Sequence, residues 1–280
     1  MKRNLFYLTI ISFIILLFTN YNIVLNSTIL AVNIWLYKVF PYLFIMIITN
    51  DLLINADFGR VFKNNILYVF IMSLISGTPT SAYIINNLYK EEKICKKNAN
   101  YALLFTYFCN PLFLYSILKL IFSANEIVIK LMLIHYLTNI FIYLLIHRQL
   151  TREKYVLKKA FVNLSSSIKS GVTTTTMVLG SIVFYMVLSD ILINTFNLPL
   201  YLNTTLKGVL EITQGLNTLI DINLSCKLKE IIAIAFISFG GFSIHTQIKC
   251  ILDESDLQYK YFLLGRILGT IIAILLTALT

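Results

Sequence analysis

The sequence predicts an all-α, polytopic membrane protein with about seven transmembrane helices, two re-entrant hairpins and an inverted internal repeat. Three observations carry this. Apolar residues make up 58% of the 280 positions and the mean hydropathy is +0.80, more apolar surface than a soluble domain of this size needs. Apolar runs of roughly twenty residues recur along the chain, enough to cross a bilayer as helices. Some of these runs are interrupted by polar stretches broken by glycine or proline, and the interruptions fall at corresponding places in two halves.

The formal net charge of +10 raises nucleic acid as a partner. The basic residues, however, fall in short loops between apolar runs, where they set topology, so no nucleic-acid partner is expected. Cys95, Cys109, Cys226 and Cys250 form no CxxC and no metal spacing and read as small apolar fillers. No metal is expected. There is no GxSxG, HExxH or phosphate loop, and the chain does not read as an enzyme.

Taken in order, Lys2 and Arg3 precede an apolar run from Leu5 to Leu25, which is longer than a signal peptide's core and lacks a clean cleavage site. It reads as an uncleaved first helix with a cytoplasmic N-terminus. Asn33 to Asn55 forms the second, entered through the aromatic and basic Trp35–Pro41. Ile66 to Leu88 is interrupted by Ser76-Gly77-Thr78-Pro79-Thr80-Ser81. Each arm is about ten residues and crosses only half the apolar core. A re-entrant hairpin fits; a single proline-kinked span is the rival.

Tyr101 to Leu120 is a span broken at Asn110-Pro111, where proline removes a helical hydrogen bond. Ile127 to Ile146 is a plain span. A basic stretch holding Arg148, Arg152, Lys154, Lys158, Lys159 and Lys169 follows. The second half repeats the order: a span over Val172–Ile193, a broken stretch over Leu206–Leu224, a broken span over Glu230–Leu252 and a closing span over Tyr261–Leu279. The expected divisions are an N-terminal helix (1–30), a first repeat (31–147), a basic cytoplasmic loop (148–170) and a second, inverted repeat (171–280). Under this topology the outer side receives only Lys38, Lys119, Lys130, Lys207, Lys227 and Lys229. The other seventeen of the 23 Lys and Arg, Arg266 among them, fall on the cytoplasmic side, as the positive-inside rule requires.

Corresponding breaks in two halves point to a transport site. The breaks are assigned to Gly77, Pro79 and Pro111 in the first half and to Gly215, Gly240 and Gly241 in the second. Their neighbours supply the candidate solute-binding residues: Thr78, Thr80, Asn110, Glu211, Thr213, Gln214, Ser238, Ser243, His245 and Gln247. A charge at membrane depth is costly and faces a cavity or a partner. Glu211 is therefore either a coupling or cargo contact or half of a structural ion pair with Lys207, one turn earlier. His245 either gates a proton step or stays neutral, bonded to a carbonyl freed by Gly240-Gly241. Half-helix N-termini after Pro79 and Gly241 favour an anionic cargo.

The chain resembles the sporulation integral membrane proteins of the YlbJ (SpoVV) type, within the nucleoside-recognition "Gate" family. Trp35 through Pro41, Ser76 through Ala82, Asn110-Pro111-Leu112-Phe113, His135-Tyr136-Leu137, Leu210 through Leu216, Ser238 through Gln247 and Leu263-Leu264-Gly265-Arg266 carry the resemblance. It implies transport across a forespore membrane, with dipicolinic acid as the cargo, and a likeness to half of a concentrative nucleoside carrier. The expectation is a secondary transporter without a cofactor, using H+ or Na+ as a coupling ion. It would sit in a bacterial cell or forespore membrane, with lipid and a small solute as partners and a homo-oligomer left open. The alternatives are a non-transporting assembly protein of sporulation and a nucleoside carrier.

Overall fold

The computed structural model describes residues 2–56, 58–62, 64–151 and 163–280, without the side chains of 2–6, 59 and 60. Asp57, Lys63, the Arg60 side chain and most of the basic stretch (Arg152, Lys154, Lys158 and Lys159) lie outside the described residues. Every regular element among those described is helical.

The first helix, α1, spans Lys2–Thr19. After Asn20 the chain enters α2 (Tyr21–Ile34), a π turn over Trp35–Val39, and α3 (Phe40–Asn55). Together these make one 35-residue rod, Tyr21–Asn55. The joint thus falls at Asn20, not between Leu25 and Asn33 as expected, and the division at residue 30 lies inside a continuous helix. The π turn directly precedes Pro41. Proline lacks the N–H and its ring crowds the carbonyl four residues back, so a locally wider turn accommodates it.

Two half-length helices follow: α4 (Asn65–Ser76), capped by Asn64, and α5 (Thr80–Lys90). Then come α6 (Lys96–Phe105), an extended segment, α7 (Pro111–Ile121) and α8 (Asn125–Ile146). The same order recurs. The long helix α9 spans Leu164–Phe196, two short helices α10 (Leu200–Leu210) and α11 (Ile212–Asp221) meet at Glu211, α12 (Cys226–Phe239) meets α13 (Gly241–Leu252) at a glycine pair, and α14 (Tyr259–Leu279) closes the chain. Helix α9 starts eight residues before the expected Val172, because Asn163 caps it by accepting from the amides of Ser165 and Ser166. Residues 164–170 are therefore helix rather than loop.

Among the described residues, five helical stretches are long and apolar enough to cross a membrane: Tyr21–Asn55, Asn125–Gln149, Leu164–Phe196, Cys226–Leu252 and Tyr259–Leu279. Helix α1 contributes only a shorter apolar stretch, Tyr7–Thr19, and the expected span over Tyr101–Leu120 is built from two half-helices, α6 and α7. The protein is an integral membrane protein.

Hydrogen bonds fix which loops share an end of the molecule. At one end Asn65 reaches the Lys93 carbonyl, Asn98 the Thr151 carbonyl and Lys90 the Glu254 carboxylate. At the other, Asn194 meets Asn20, Lys227 the Thr277 carbonyl and Lys229 the Ile220 carbonyl. So α4 and α5 start and finish at the first end, and α10 and α11 at the second.

The two long rods lie antiparallel. Ser27 bonds Asp190, Trp35 bonds the Thr175 carbonyl, and Ser167 bonds Asp51. Partner numbers fall as positions rise, which is the mark of antiparallel packing. Gly171 lets the rods close; a Cβ there would sit 3.0 Å from the Phe44 ring. Their seam is a separate apolar cluster (Ala31, Ile34, Leu43, Ile47, Val178, Ile182 and Met186). Most other buried apolar side chains belong to a second cluster formed by the short helices with α8 and α14. The fold is thus a two-rod beam against a bundle. In lipid, apolar burial alone does not drive such association, so close packing and interhelical hydrogen bonds carry it.

Candidate functional site

The helix breaks meet in the middle of the molecule. In the first half, Gly77 ends α4 with φ +74°. A Cβ there would lie 2.9 Å from the Asn110 amide nitrogen, and the neighbouring Thr78 amide donates to the Phe108 carbonyl at 2.8 Å. In the second half, Gly240 (φ +91°) and Gly241 (φ +68°) separate α12 from α13. A Cβ on Gly241 would come 3.2 Å from the Ile212 nitrogen. Each hairpin tip therefore crosses the broken helix of its own half. Tyr107 joins the halves by donating to the Ile237 carbonyl at 2.9 Å.

A broken helix must find partners for its freed backbone groups, since lipid offers none. Over Thr106–Asn110 they come from α8. The Cys109 amide donates to His135 Nε2 at 3.0 Å, and the Tyr136 hydroxyl donates to the Cys109 carbonyl at 2.9 Å. Asn110 caps α7 by accepting from Leu112 and Phe113. The break is thus wider than the Asn110-Pro111 pair suggests. His135 supports the break from outside the cavity wall; in the sequence it stands out only within the His135-Tyr136-Leu137 motif, with no role assigned to it.

Arg266 carries a larger correction. Counting charges tallies it with the topology-setting cations of the cytoplasmic side, although it falls inside the closing span, and it is fully buried within α14. Its Nη1 donates to the Ser238 carbonyl (3.2 Å), and its Nη2 to the Leu104 carbonyl (3.2 Å) and Asn139 Oδ1 (2.9 Å). The guanidinium carbon sits 4.1 Å from the Tyr107 ring centroid. Ser238 and Leu104 lie in the last turns of α12 and α6, so the cation rests on two helix C-termini, where free carbonyls and both macrodipoles favour it. Gly265 permits the approach, as a Cβ there would collide with the Leu104 carbonyl oxygen.

A cavity of about 100 Å³, enough for several water molecules or a small solute, lies between beam and bundle. Its wall takes Leu43 from α3 and Val178 and Ile182 from α9, Thr78 and Pro79 from the first hairpin tip, Phe108 to Asn110 from the first broken helix, Glu211 to Thr213 from the second tip, and Ser243 and Gln247 from α13. Lys38, exposed on the π turn, stands at its edge. Of the predicted residues, Thr78, Asn110, Glu211, Thr213, Ser243 and Gln247 line the cavity. Gln247 Nε2 donates to Ser181 Oγ at 2.8 Å and to Ser243 Oγ at 3.2 Å.

The others lie outside the wall. Thr80 and Ser238 are buried in the first turn of α5 and the last turn of α12. Gln214 faces α9, where Ser189 donates to its Oε1 and its Nε2 donates to Asp190. His245 is held by the Phe239 carbonyl at 3.0 Å and the Tyr259 hydroxyl at 2.6 Å. A carbonyl only accepts, so Nε2 carries the proton. Gly215 is not a break: it sits inside α11, where a Cβ would collide with Gly208 Cα. The real break is Glu211, a single extended residue with φ −142° and ψ 117°.

Glu211 caps α11, its Oε2 accepting from the Gln214 amide at 2.8 Å. Its expected partner Lys207 instead meets Asp190 Oδ1 at 3.2 Å. Lys207, one turn before Glu211, turns to α9. The carboxylate is thus offset by a helix N-terminus. Helix α13 has no side-chain cap at its N-terminus, and its Ser243, Ile244 and Gln247 line the cavity.

Over 301 aligned positions, covering 87% of this chain and 74% of the relative, the sequence is 27% identical to the sporulation integral membrane protein YlbJ of Bacillus subtilis (strain 168). The chain is similar to that protein along most of its length. The resemblance carried by the motifs is borne out by this relative. No family model and no solved structure matches the chain.

Proposed function

We propose that the chain is a secondary transporter of a small polar, anionic solute. Its two halves would be inverted repeats, and α4–α5 and α10–α11 re-entrant hairpins entering from opposite membrane faces. The observation that carries this reading is that helix breaks from both halves converge on one cavity between beam and bundle, whose mostly apolar wall carries Thr78, Asn110, Glu211, Thr213, Ser243 and Gln247. Broken helices meeting at the midplane are how secondary transporters hold a solute. The uncapped start of α13 favours negative charge, and Lys38 adds a cation at the cavity's edge. Glu211 then serves a coupling cation, H+ or Na+, or orders the site as a helix cap. With YlbJ as relative, the setting we propose is sporulation, the membrane that of the forespore and the cargo dipicolinate, moved by a carrier rather than by an enzyme.

The test is uptake of labelled dipicolinate into proteoliposomes, wild type beside Glu211→Gln, with uridine as competitor and proton and sodium gradients applied in turn. Gradient-driven uptake that falls at least about tenfold in the variant, the scale of one lost charge-assisted contact, supports the reading. Competition by uridine would redirect it to a nucleoside carrier. No uptake by correctly inserted protein under either gradient would sink the dipicolinate assignment and favour a non-transporting assembly role in sporulation.

A further inference from the structure

The beam carries two matching polar clasps, one near each end. Asp51, 8% exposed, accepts from Ser167 Oγ of the opposite rod at 2.5 Å and from the Tyr83 hydroxyl of α5 at 2.9 Å. Asp190 accepts from Ser27 Oγ of the opposite rod at 2.6 Å and from Gln214 Nε2 of α11 at 2.8 Å. In both, an aspartate near the C-terminal end of a rod binds a serine near the N-terminal end of the other. Each also binds a side chain from the outgoing arm of its own hairpin. Serine and aspartate are 24 residues apart in the first rod and 23 in the second. The extra residue falls in the rod that contains the π turn, a wider turn that takes up more chain.

The cavity lies between these clasps, against Leu43 of α3 and Val178 and Ile182 of α9. Midway, beam and bundle share few polar contacts: Ser181 with Gln247 and Ser243, and Tyr185 with Thr246. Each rod-to-hairpin tie therefore spans the seam between the cavity and one end of the molecule. The two ties are also unequal. Lys207 adds an ion pair to the Asp190 clasp, whereas the Asp51 clasp uses only neutral donors.

We propose that the two aspartate clasps are alternating latches: releasing the Asp51 clasp opens the cavity toward the Lys90–Glu254 end, and releasing the Asp190 clasp opens it toward the opposite end. This rests on the carrier reading for its use, but its test does not need a cargo. Cys109 lines the cavity and is 6% exposed, so it reports access directly once Cys95, Cys226 and Cys250 are replaced. The full chain in sealed vesicles of known orientation is treated with a membrane-impermeant thiol reagent from each side.

Asp51→Ala should raise Cys109 labelling about tenfold from one side only, and Asp190→Ala about tenfold from the other, the scale of losing charge-assisted hydrogen bonds in a two-state equilibrium. The milder Ser167→Ala and Ser27→Ala variants should reproduce the same sidedness and guard against misfolding, with monodispersity in detergent as a further control. Labelling raised from the same side by both aspartate variants, or unchanged in all four, would overturn the latches. Side-selective labelling without dipicolinate uptake would leave the latches standing and remove the cargo. Uptake with unselective labelling would do the reverse.

Discussion

Arg266 shows what a single buried residue does here. A guanidinium without a carboxylate partner would normally be costly at membrane depth. Two helix C-termini, the Asn139 amide oxygen and the Tyr107 face take the carboxylate's place. Arg266→Met removes the cation and leaves those carbonyls unpaired, at about 1–3 kcal/mol for each buried group. The melting temperature of the purified protein should fall by several degrees, since 1 kcal/mol shifts a chain approaching this size by about 2–4 °C. Arg266→Lys should recover only part, because an ammonium cannot span both helix ends with a planar fork. A Met variant that melts with the wild type would contradict this role. Glycines divide in the same way. A Cβ on Gly240 would meet Tyr107 Oη at 2.7 Å in a backbone that side chains avoid, while Gly180 has nothing within 4 Å. Gly240→Ala should therefore destabilise strongly. Gly180→Ala, inside α9, should be neutral or stabilising by up to about 1 kcal/mol. Equal melting temperatures for the two would count against the close approach at the break.

Among the elements, the turn between α13 and α14 is tied to the first half by exposed contacts. Lys90 meets Glu254, and Asp256 accepts from Lys96 and the Tyr89 hydroxyl, each at 2.6 Å. The bonds from Lys96 and Tyr89 hold the Asp256 carboxyl below its usual range. A depressed carboxylate contributes above its unfolded pKa, about 3.9, and the contribution is lost as pH falls through the folded value. Hydrogen-exchange protection in the 253–258 turn, relative to the intrinsic rate at each pH, should fall on acidification through that window and in high salt, which screens exposed pairs. Asp256→Asn should show the faster exchange already at pH 7 and lose the pH response. Exchange indifferent to both salt and the substitution would remove the tie.

Legibility in the sequence follows from the same local chemistry. Gly77, Gly240 and Gly241 announce breaks because their positive φ values suit glycine, and Pro111 because it opens a helix. The break at Glu211 is one extended residue with a carboxylate cap, which carries no such mark, so the sequence brackets the break within 211–215 but assigns it to the glycine, Gly215. The joint at Asn20 lies inside an apolar run, where a reading by hydropathy has no purchase. The aspartate clasps join residues more than a hundred positions apart, and single-sequence spacing cannot pair them. Charge counting tallies Arg266 with the cytoplasmic cations because it treats every cation as solvated, and so gives this residue of the closing span no structural role.

At the scale of the whole molecule, the hairpins decide the topology. Arms of 12 and 11 residues in α4 and α5, and of 11 and 10 in α10 and α11, reach about 15–18 Å at 1.5 Å per residue. A bilayer core is about 30 Å thick, so no arm crosses it alone. On the proposed re-entrant topology each pair returns to the end it left, in keeping with the hydrogen bond from Asn65 at the start of α4 to the Lys93 carbonyl beyond α5. On that proposed topology, α6–α7, α8 and α9 would give three crossings between Cys95 and the second hairpin, and Cys226 would lie on the opposite side. Both cysteines are exposed. Single-cysteine variants in intact cells should therefore react with an impermeant thiol reagent in opposite senses. Cys226 should label from outside, and Cys95 only after the membrane is opened, given the basic residues Lys90, Lys96 and Lys97 beside it. If both label from the same side, at least one hairpin crosses the membrane, and the pairing of α2–α3 with α9 as antiparallel counterparts across the bilayer no longer holds.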